Sequence, residues 1–158
     1  MKKKILVVAA VLFALFLMQA SVVYAKPTLV AFGIANPPFN FVVDESQTVE
    51  LERTIVTHAI GHGEMTGDIL GPFTFTDTIT IYKDSTGATR SMTHVQLIEI
   101  TTASGNLVVE AKQKWVASGT PLLETTGTWK ILYGTGLMGA VTGGGTYYPW
   151  FTFEGIVK

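Results

Sequence analysis

Two charged residues, Asp77 and Arg53, stand in stretches where every second residue is otherwise apolar. The residues in phase with them are Phe73, Phe75, Ile79 and Ile81 for Asp77, and Val49, Leu51 and Ile55 for Arg53. A charge on the apolar face of a strand is costly unless it is paired. The sequence therefore predicts an inward Asp77–Arg53 pair, within the fold or at its mouth. Such a pair either orients the polar head of a ligand or completes a polar network in the core.

Two weaker polar positions of the same kind, together with one tryptophan, complete the predicted ligand-binding set. Glu99 is in phase with Val95 and Leu97, and Gln113 is in phase with Trp115. A few polar groups in an apolar and aromatic lining are typical of pockets for small molecules. We therefore predict that Glu99, Gln113 and Trp115 line the same site as the charged pair.

The histidines offer a weaker case for chemistry. In "HAIGHGE", His58, His62 and Glu64 share one face of a strand, and about 13 Å separates His58 from His62, too far for both to bind one ion. His94 is a lone third histidine. No Ser–His–Asp order, catalytic carboxylate pair, nucleophile elbow or phosphate-binding loop is present. We predict no metal site and no cofactor, and we assign no catalytic residue.

The elements that must position these residues are strands, because apolar and polar residues alternate after residue 26 without a helical period. The pattern predicts about eight strands, over 28–34, 38–43, 48–59, 63–82, 91–101, 106–117, 122–133 and 146–157. Short turns make consecutive strands antiparallel neighbours, and closure of the sheet removes its exposed edges. The predicted fold class is all-β, a closed antiparallel barrel of about eight strands, with a two-sheet sandwich as the alternative.

Two glycine-rich segments share the spacing Gly-x-aliphatic-x-Gly, namely "GDILGPF" at 67–73 and "GAVTGGG" at 139–145. Each of them leads into a strand that carries aromatic residues. Glycine in a strand marks a bend, a bulge or a close backbone approach. We expect both segments to be corners of the sheet, with 63–82 bending or splitting between Gly67 and Pro72.

The closing residues "YGTGLMGAVTGGGTYY" and "FTFEGIVK" resemble the C-terminal end of the allene oxide cyclase and dirigent type of β-barrel. The upstream "GEMTGDILGPFTFTDTITIY" is similar to a segment of small bacterial proteins of that superfamily, so the resemblance covers about residues 63–157. It implies an eight-stranded barrel, often a homo-oligomer, with a cavity suited to an apolar small molecule. The resemblance transfers no site residue, because it rests on glycine spacing and closing-strand residues that encode fold.

Residues 1–25 have the order of a secretory signal peptide: Lys2 to Lys4, an apolar run of 14 residues over 5–18, and Val23 and Ala25 before a cleavage position. Retention of the segment as an anchor is the alternative. Cleavage leaves one domain, residues 26–158, with no further membrane span. We expect it to be secreted, or to be located in the periplasm or cell envelope.

The charge and composition of the mature chain exclude some partners. Loss of three lysines from 11 basic residues leaves eight against 12 acidic ones, so the net charge changes from −1 to −4. No basic cluster remains to bind nucleic acid. The chain has no cysteine, so its core must hold it together without disulfides.

These observations predict an exported barrel that binds a small apolar or aromatic molecule in its interior. One alternative is a cofactor-independent cyclase or isomerase of the allene oxide cyclase type, which uses an inward carboxylate. The other is a structural envelope protein whose barrel is filled by its own side chains. Whether the protein is an enzyme stays open at this point.

Overall fold

A computed structural model of the chain describes residues 26–34, 40–117, 122–125, 127–148 and 151–158. The predicted signal peptide, residues 1–25, lies outside the described residues. The elements are β1 (Thr28–Ile34), β2 (Asn40–Leu51), β3 (Thr54–Gly67), β4 (Gly71–Lys83), β5 (Thr89–Thr102), β6 (Gly105–Ala117), β7 (Leu122–Glu124), β8 (Gly127–Gly134), a 3-10 turn (Gly136–Met138), β9 (Gly143–Tyr148) and β10 (Thr152–Val157). The predicted all-β class is confirmed. In the described part of the chain, no helix is long and apolar enough to cross a bilayer.

The strands form one antiparallel sheet whose pairings return to their starting point. The order is β1-β10-β9-β8-β6-β5-β4-β3, and β3 pairs in turn with β1, with Phe32 opposite Gly67. Eight strands therefore form a ring-like sheet. β2 pairs with the first part of β3 and β7 with the last part of β6, so both lie beside the ring. A single sheet forms here, and not the two sheets of a sandwich.

Several predicted strand boundaries are wrong, because tight turns divide the longer segments. The predicted strand 48–59 contains the turn at Glu52 and Arg53, which separates β2 from β3. The predicted strands 122–133 and 146–157 are each two strands. The expected split of 63–82 is confirmed. There β3 ends at Gly67 and β4 begins at Gly71, with φ of 99° and 140° in the left-handed region that glycine tolerates.

One part of the interior is filled by aromatic rings, which we call the aromatic core: Phe32, Phe73, Phe75, Trp129, Tyr147, Phe151 and Phe153. The ring of Phe153 stacks on one ring from each neighbouring strand. Its centroid lies 4.7 Å from that of Phe32 on β1 and 4.8 Å from that of Tyr147 on β9. Phe151 has a φ of 55°, which is unfavourable for a residue with a side chain. Its ring is buried 5.2 Å from that of Phe75, so burial offsets the backbone strain.

Three of the four glycines of the second segment are not at a corner, which corrects the expectation for 139–145, whereas Gly139 lies in the turn between β8 and β9. Gly143 to Gly145 lie within β9. A Cβ at Gly145 would lie 2.0 Å from the carbonyl oxygen of Glu154, and one at Gly155 would lie 2.7 Å from the Trp129 ring. These glycines therefore let β9 and β10 pass close to the indole of Trp129.

The inward faces of β4 and β6 are as predicted, since Phe73, Phe75, Asp77, Ile79, Leu107, Val109, Ala111 and Gln113 are all buried. The predicted face of β5 is reversed, whereas on β8 Trp129 is buried as its alternation predicts and only Tyr133 departs from that face. Val95 and Leu97 of β5 are 37% and 44% exposed, so Glu99 shares the outer face with them. Tyr133 of β8 is 59% exposed, because a register shift between β6 and β8 at Val108 and Val109 inserts one extra residue.

Candidate functional site

Asp77 lies at the middle of β4 and is only 2% exposed. Its strand partners are Ala59 on β3 and Gln96 on β5. The carboxylate oxygen Oδ2 lies 2.7 Å from Nδ1 of His94 and accepts a hydrogen bond from Nε2 of Gln96 at 3.1 Å. The buried carboxylate therefore has two partners, and both come from β5.

Residues on β5 and β6 extend this arrangement into a cluster. Because side chains alternate along a strand, the even positions of β5 and the odd positions of β6 face inward with Asp77. His94 is directly opposite Gln113, and the rings of His94 and Trp115 have centroids 5.9 Å apart. We call Asp77, His94, Gln96, Gln113 and Trp115 the inner polar cluster.

Three buried side-chain atoms without a hydrogen-bond partner belong to this cluster: Oδ1 of Asp77, Oε1 of Gln96 and Nε1 of Trp115. They are the only such atoms among the described residues. Buried polar atoms are nearly always hydrogen-bonded, because an unmade bond in a dry interior costs about 1–3 kcal/mol. Unsatisfied hydrogen-bonding capacity is therefore concentrated in one place.

The cluster lies toward the end of the sheet that the ring does not close. A row of paired residues crosses this end from Leu51 on β2 through Tyr82 and Ser91 to Leu123 on β7. In the described part of the chain, β2 pairs only with β3 and β7 only with β6. The sheet is thus open between β2 and β7, whereas β1, β8, β9 and β10 close the other end.

Exposure of the inward side chains increases toward the open end. Val43 and Phe41, on the same face as Asp77 but at the edge strand β2, are 40% and 45% exposed. Trp115 is partly buried, and Nε2 of Gln113 donates to the carbonyl oxygen of Thr125 at 2.9 Å, which fastens the segment after β7 beside the cluster. The cluster therefore lies between a closed, apolar end and an open one.

The predicted pair of Asp77 with Arg53 is wrong. Arg53 lies in the turn between β2 and β3 and is exposed, and its backbone oxygen accepts a hydrogen bond from the amide of Lys83. That register places Arg53 six residues along the sheet from Asp77, or about 20 Å. The prediction failed because the turn at Glu52 interrupts the alternation on which the face of Arg53 was assigned.

Glu99 is also outside the cluster. It lies on the outer face of β5, where its Oε1 accepts a hydrogen bond from Nδ2 of Asn106 at 2.9 Å. Together with Val42, Ile60 and Tyr133 it lines an open surface groove of about 640 Å³. Of the five residues predicted to bind a ligand, the structure brings together Asp77, Gln113 and Trp115 and leaves Arg53 and Glu99 apart.

The sequence reasoning missed His94 and Gln96. Both are in phase with Ile98 and Ile100, which are fully buried. Apolar residues occur at both odd and even positions of β5, because Val95 and Leu97 face outward while Ile98 and Ile100 face inward. The alternation therefore does not show which face is buried. The signal that could have separated the two faces is the pairing of β5 with β4, which places Gln96 opposite Asp77.

The other two histidines lie on the outer face and serve as structural partners. Nε2 of His62 lies 3.1 Å from Nδ2 of Asn40, and Nδ1 of His58 lies 3.3 Å from Oγ1 of Thr78. Within the residues that the structure describes, no three His, Cys, Asp or Glu side chains are grouped in a way that could hold a metal ion.

The geometry of the inner polar cluster can support two kinds of chemistry. Its unpaired atoms can bind a polar group that enters from the open end, and the partly buried ring of Trp115 can pack against an apolar body. In addition, His94 contacts a carboxylate through Nδ1 and lies 3.0 Å from Sδ of Met92 through Nε2. A histidine held by a buried carboxylate is an arrangement that can move protons.

Fold and site together define a class: an all-β protein with a ring-like antiparallel sheet and a polar cluster inside it. Comparison of the chain with protein-family models, curated proteins and solved structures finds no match.

Proposed function

We propose that this protein is a closed β-barrel of the allene oxide cyclase and dirigent type that binds a small apolar or aromatic molecule in its interior. The observation that carries the proposal is the group of three unpartnered buried atoms in the inner polar cluster. A ligand with donor groups that enters from the open end would supply partners for Oδ1 of Asp77 and Oε1 of Gln96 and would contact the indole of Trp115. A barrel filled only by its own side chains would leave these atoms without a protein partner.

The register around the ring supports closure as a barrel. Successive partners lead from Val30 on β1 through Gly155, Gly145, Trp129, Ala111, Gln96 and Asp77 to Ala59 on β3. The pairing of Phe32 with Gly67 places Val30 level with residue 69, so the circuit closes with a stagger of ten residues, which is 69 minus 59. For eight strands this stagger corresponds to a tilt of about 43°, within the range of about 35–45° for closed barrels.

The proposed location is outside the cytoplasm, in the periplasm, the cell envelope or the medium, because residues 1–25 have the pattern of a signal peptide. Mature protein should begin at Lys26, which N-terminal sequencing of the exported form would check. Recovery of the intact chain of 158 residues from membranes would contradict this part of the proposal.

The test of binding is native mass spectrometry of the protein purified from its own host, with and without single substitutions. We expect a co-purifying small molecule with the unchanged chain. Trp115→Phe keeps an aromatic ring and removes the unpartnered N–H together with part of the indole face, so the bound fraction should fall severalfold. Ile60→Glu changes only the outer surface groove and serves as the control, which should retain the molecule. Recovery of protein without any bound molecule, or loss of the molecule only in Ile60→Glu, would overturn the proposal.

A second candidate function, a cofactor-independent isomerase or cyclase, is favoured by the 2.7 Å contact between His94 and Asp77. An isomerase that retains its product would change its bound molecule when the histidine is replaced. His94→Gln should then co-purify with a molecule of the same mass but of different chromatographic retention. An identical molecule in both proteins would favour binding alone.

A further inference from the structure

Two of the three unpartnered atoms of the inner polar cluster are hydrogen-bond acceptors and one is a donor. Oδ1 of Asp77 and Oε1 of Gln96 are acceptors, and they belong to residues directly opposite each other on β4 and β5. The single unpartnered donor, Nε1 of Trp115, lies on β6, one strand further away. The Asp77 side of the cluster therefore lacks donors, and it lacks at least two of them.

The negative charge of Asp77 is not balanced by a lysine or arginine among the described residues. Among the described residues, the only ion-pair partner of Asp77 is His94. Lys112 and Lys114, which flank Gln113 on β6, are exposed on the opposite face of the sheet. No fixed positive charge from lysine or arginine therefore contacts the buried carboxylate. A ligand cation at this point would gain from the low dielectric and from a charge-assisted hydrogen bond.

We propose that the head group of the interior ligand is a protonated amine attached to a flat apolar body, an inference that rests on the proposed binding function. An ammonium group has up to three donors and can satisfy Asp77 and Gln96 together, whereas a hydroxyl has one. A carboxylate head would place a second negative charge beside Asp77 and offer no donor at all. The net charge of −4 for residues 26–158 also favours the approach of cations over that of anions.

The rings around the cluster fit the same class of ligand. The indole of Trp115 lies on the inner face with the imidazole of His94, with 39° between their planes. An indole face attracts a cation within about 6 Å, and it also packs against a flat apolar body. Phe75 precedes Asp77 by two residues on β4 and faces the same side of the sheet. The aromatic core therefore begins directly beside the site for the head group.

The test compares three probes with the same phenyl body and different heads: 2-phenylethylamine, 2-phenylethanol and 3-phenylpropionate. Binding of each to the full chain is measured by titration calorimetry at neutral pH and low salt. We expect the amine to bind at least about tenfold more tightly than the alcohol, a difference of about 1.4 kcal/mol, and the carboxylate to bind most weakly. An alcohol or a carboxylate that binds as tightly as the amine would overturn the amine head group.

Substitutions locate the effect. Asp77→Asn keeps the size of the side chain and removes its charge, so it should weaken the amine about tenfold or more and the alcohol less than about threefold. Gln96→Met, a second variant in case the first does not fold, should also weaken the amine more than the alcohol. Glu110→Gln removes a carboxylate from the outer face of β6 and should change neither. Equal amine affinity in all four proteins would overturn the proposal.

The outcomes separate this inference from the proposed function on which it rests. If the alcohol binds, is weakened by Trp115→Phe and matches the amine, interior binding stands and the amine head group is wrong. If none of the three probes binds and the protein from its own host carries no molecule, both proposals fail together.

Discussion

Two tryptophans on neighbouring strands show how differently the two parts of the interior are completed. Trp129 in the aromatic core is 3% exposed, and its Nε1 donates to the carbonyl oxygen of Glu154 at 3.0 Å. Trp115 in the inner polar cluster has a buried Nε1 without a partner. The indole N–H of Trp129 is hydrogen-bonded within the protein, whereas that of Trp115 makes no hydrogen bond. The aromatic core is therefore internally satisfied, whereas the inner polar cluster, the proposed site, contains unmade hydrogen bonds that lower stability.

The largest expected effect comes from removing the strand that closes the ring beside the aromatic core. Deletion of residues 152–158 eliminates β10, which pairs with both β1 and β9 and contributes Phe153. It leaves two bare strand edges and an open core. We expect no cooperative transition in urea unfolding followed by circular dichroism. A single sharp transition with an unchanged slope would show that the ring does not hold the fold together.

A large but local effect is expected for Phe153→Ala. The side chain is fully buried between Phe32 and Tyr147, so its loss leaves a cavity between the two rings that stack on it. The free energy of unfolding should fall by about 3–5 kcal/mol. Ile156→Ala on the same strand is the control, because Ile156 is 45% exposed and should cost about 1 kcal/mol or less. Equal losses would remove the distinction between the two faces of β10.

A smaller effect is expected for Asp77→Asn in the inner polar cluster. The carboxylate already has one unpartnered oxygen, and its partner His94 retains 14% of its side-chain exposure. Loss of the charge should therefore lower the free energy of unfolding by only about 1 kcal/mol. The measurement is urea unfolding of the ligand-free protein at neutral pH. A loss as large as that of Phe153→Ala would show that the cluster is a structural element of the core.

The smallest effect concerns the outer face of β6, which belongs to neither region and serves as a reference. Hydrogen bonds from Lys130 and Lys112, at 3.1 Å each, lower the pKa of the Glu110 carboxyl below its usual value. Because the pKa is lower in the folded protein, the carboxylate adds stability when the pH is above 4.5, the pKa in the unfolded chain. This contribution disappears as the pH falls through the lower pKa of the folded protein. Glu110→Gln should therefore lose about 1 kcal/mol or less at neutral pH and show a weaker decline of stability in acid.

Salt provides the check on this last prediction. Both lysines are more than half exposed, so the contribution of Glu110 should shrink when the ionic strength rises toward 1 M. The difference between the unchanged chain and Glu110→Gln is measured in urea at low and high salt. A difference that is independent of salt and of acid would contradict the ion-pair origin.

The sequence by itself determined the all-β class, the antiparallel order and the inward faces of β4 and β6. These follow from local rules, because a strand that is wet on one side must alternate and a short turn must reverse the chain. Asp77 was found in this way, since a carboxylate among phenylalanines and isoleucines on one parity is visible without any pairing. Gln113 and Trp115 were found by the same rule on β6.

Only the tertiary structure decided which residues Asp77 contacts. Arg53 was the predicted partner and His94 is the observed one, because a single turn at Glu52 moves Arg53 to the end of a hairpin about 20 Å away. The face of His94 was hidden, since β5 has apolar residues at both parities and only its register with β4 shows which of them are inside. Contacts across strands depend on register, which changes every facing partner when it shifts by one residue, and a local pattern does not specify it.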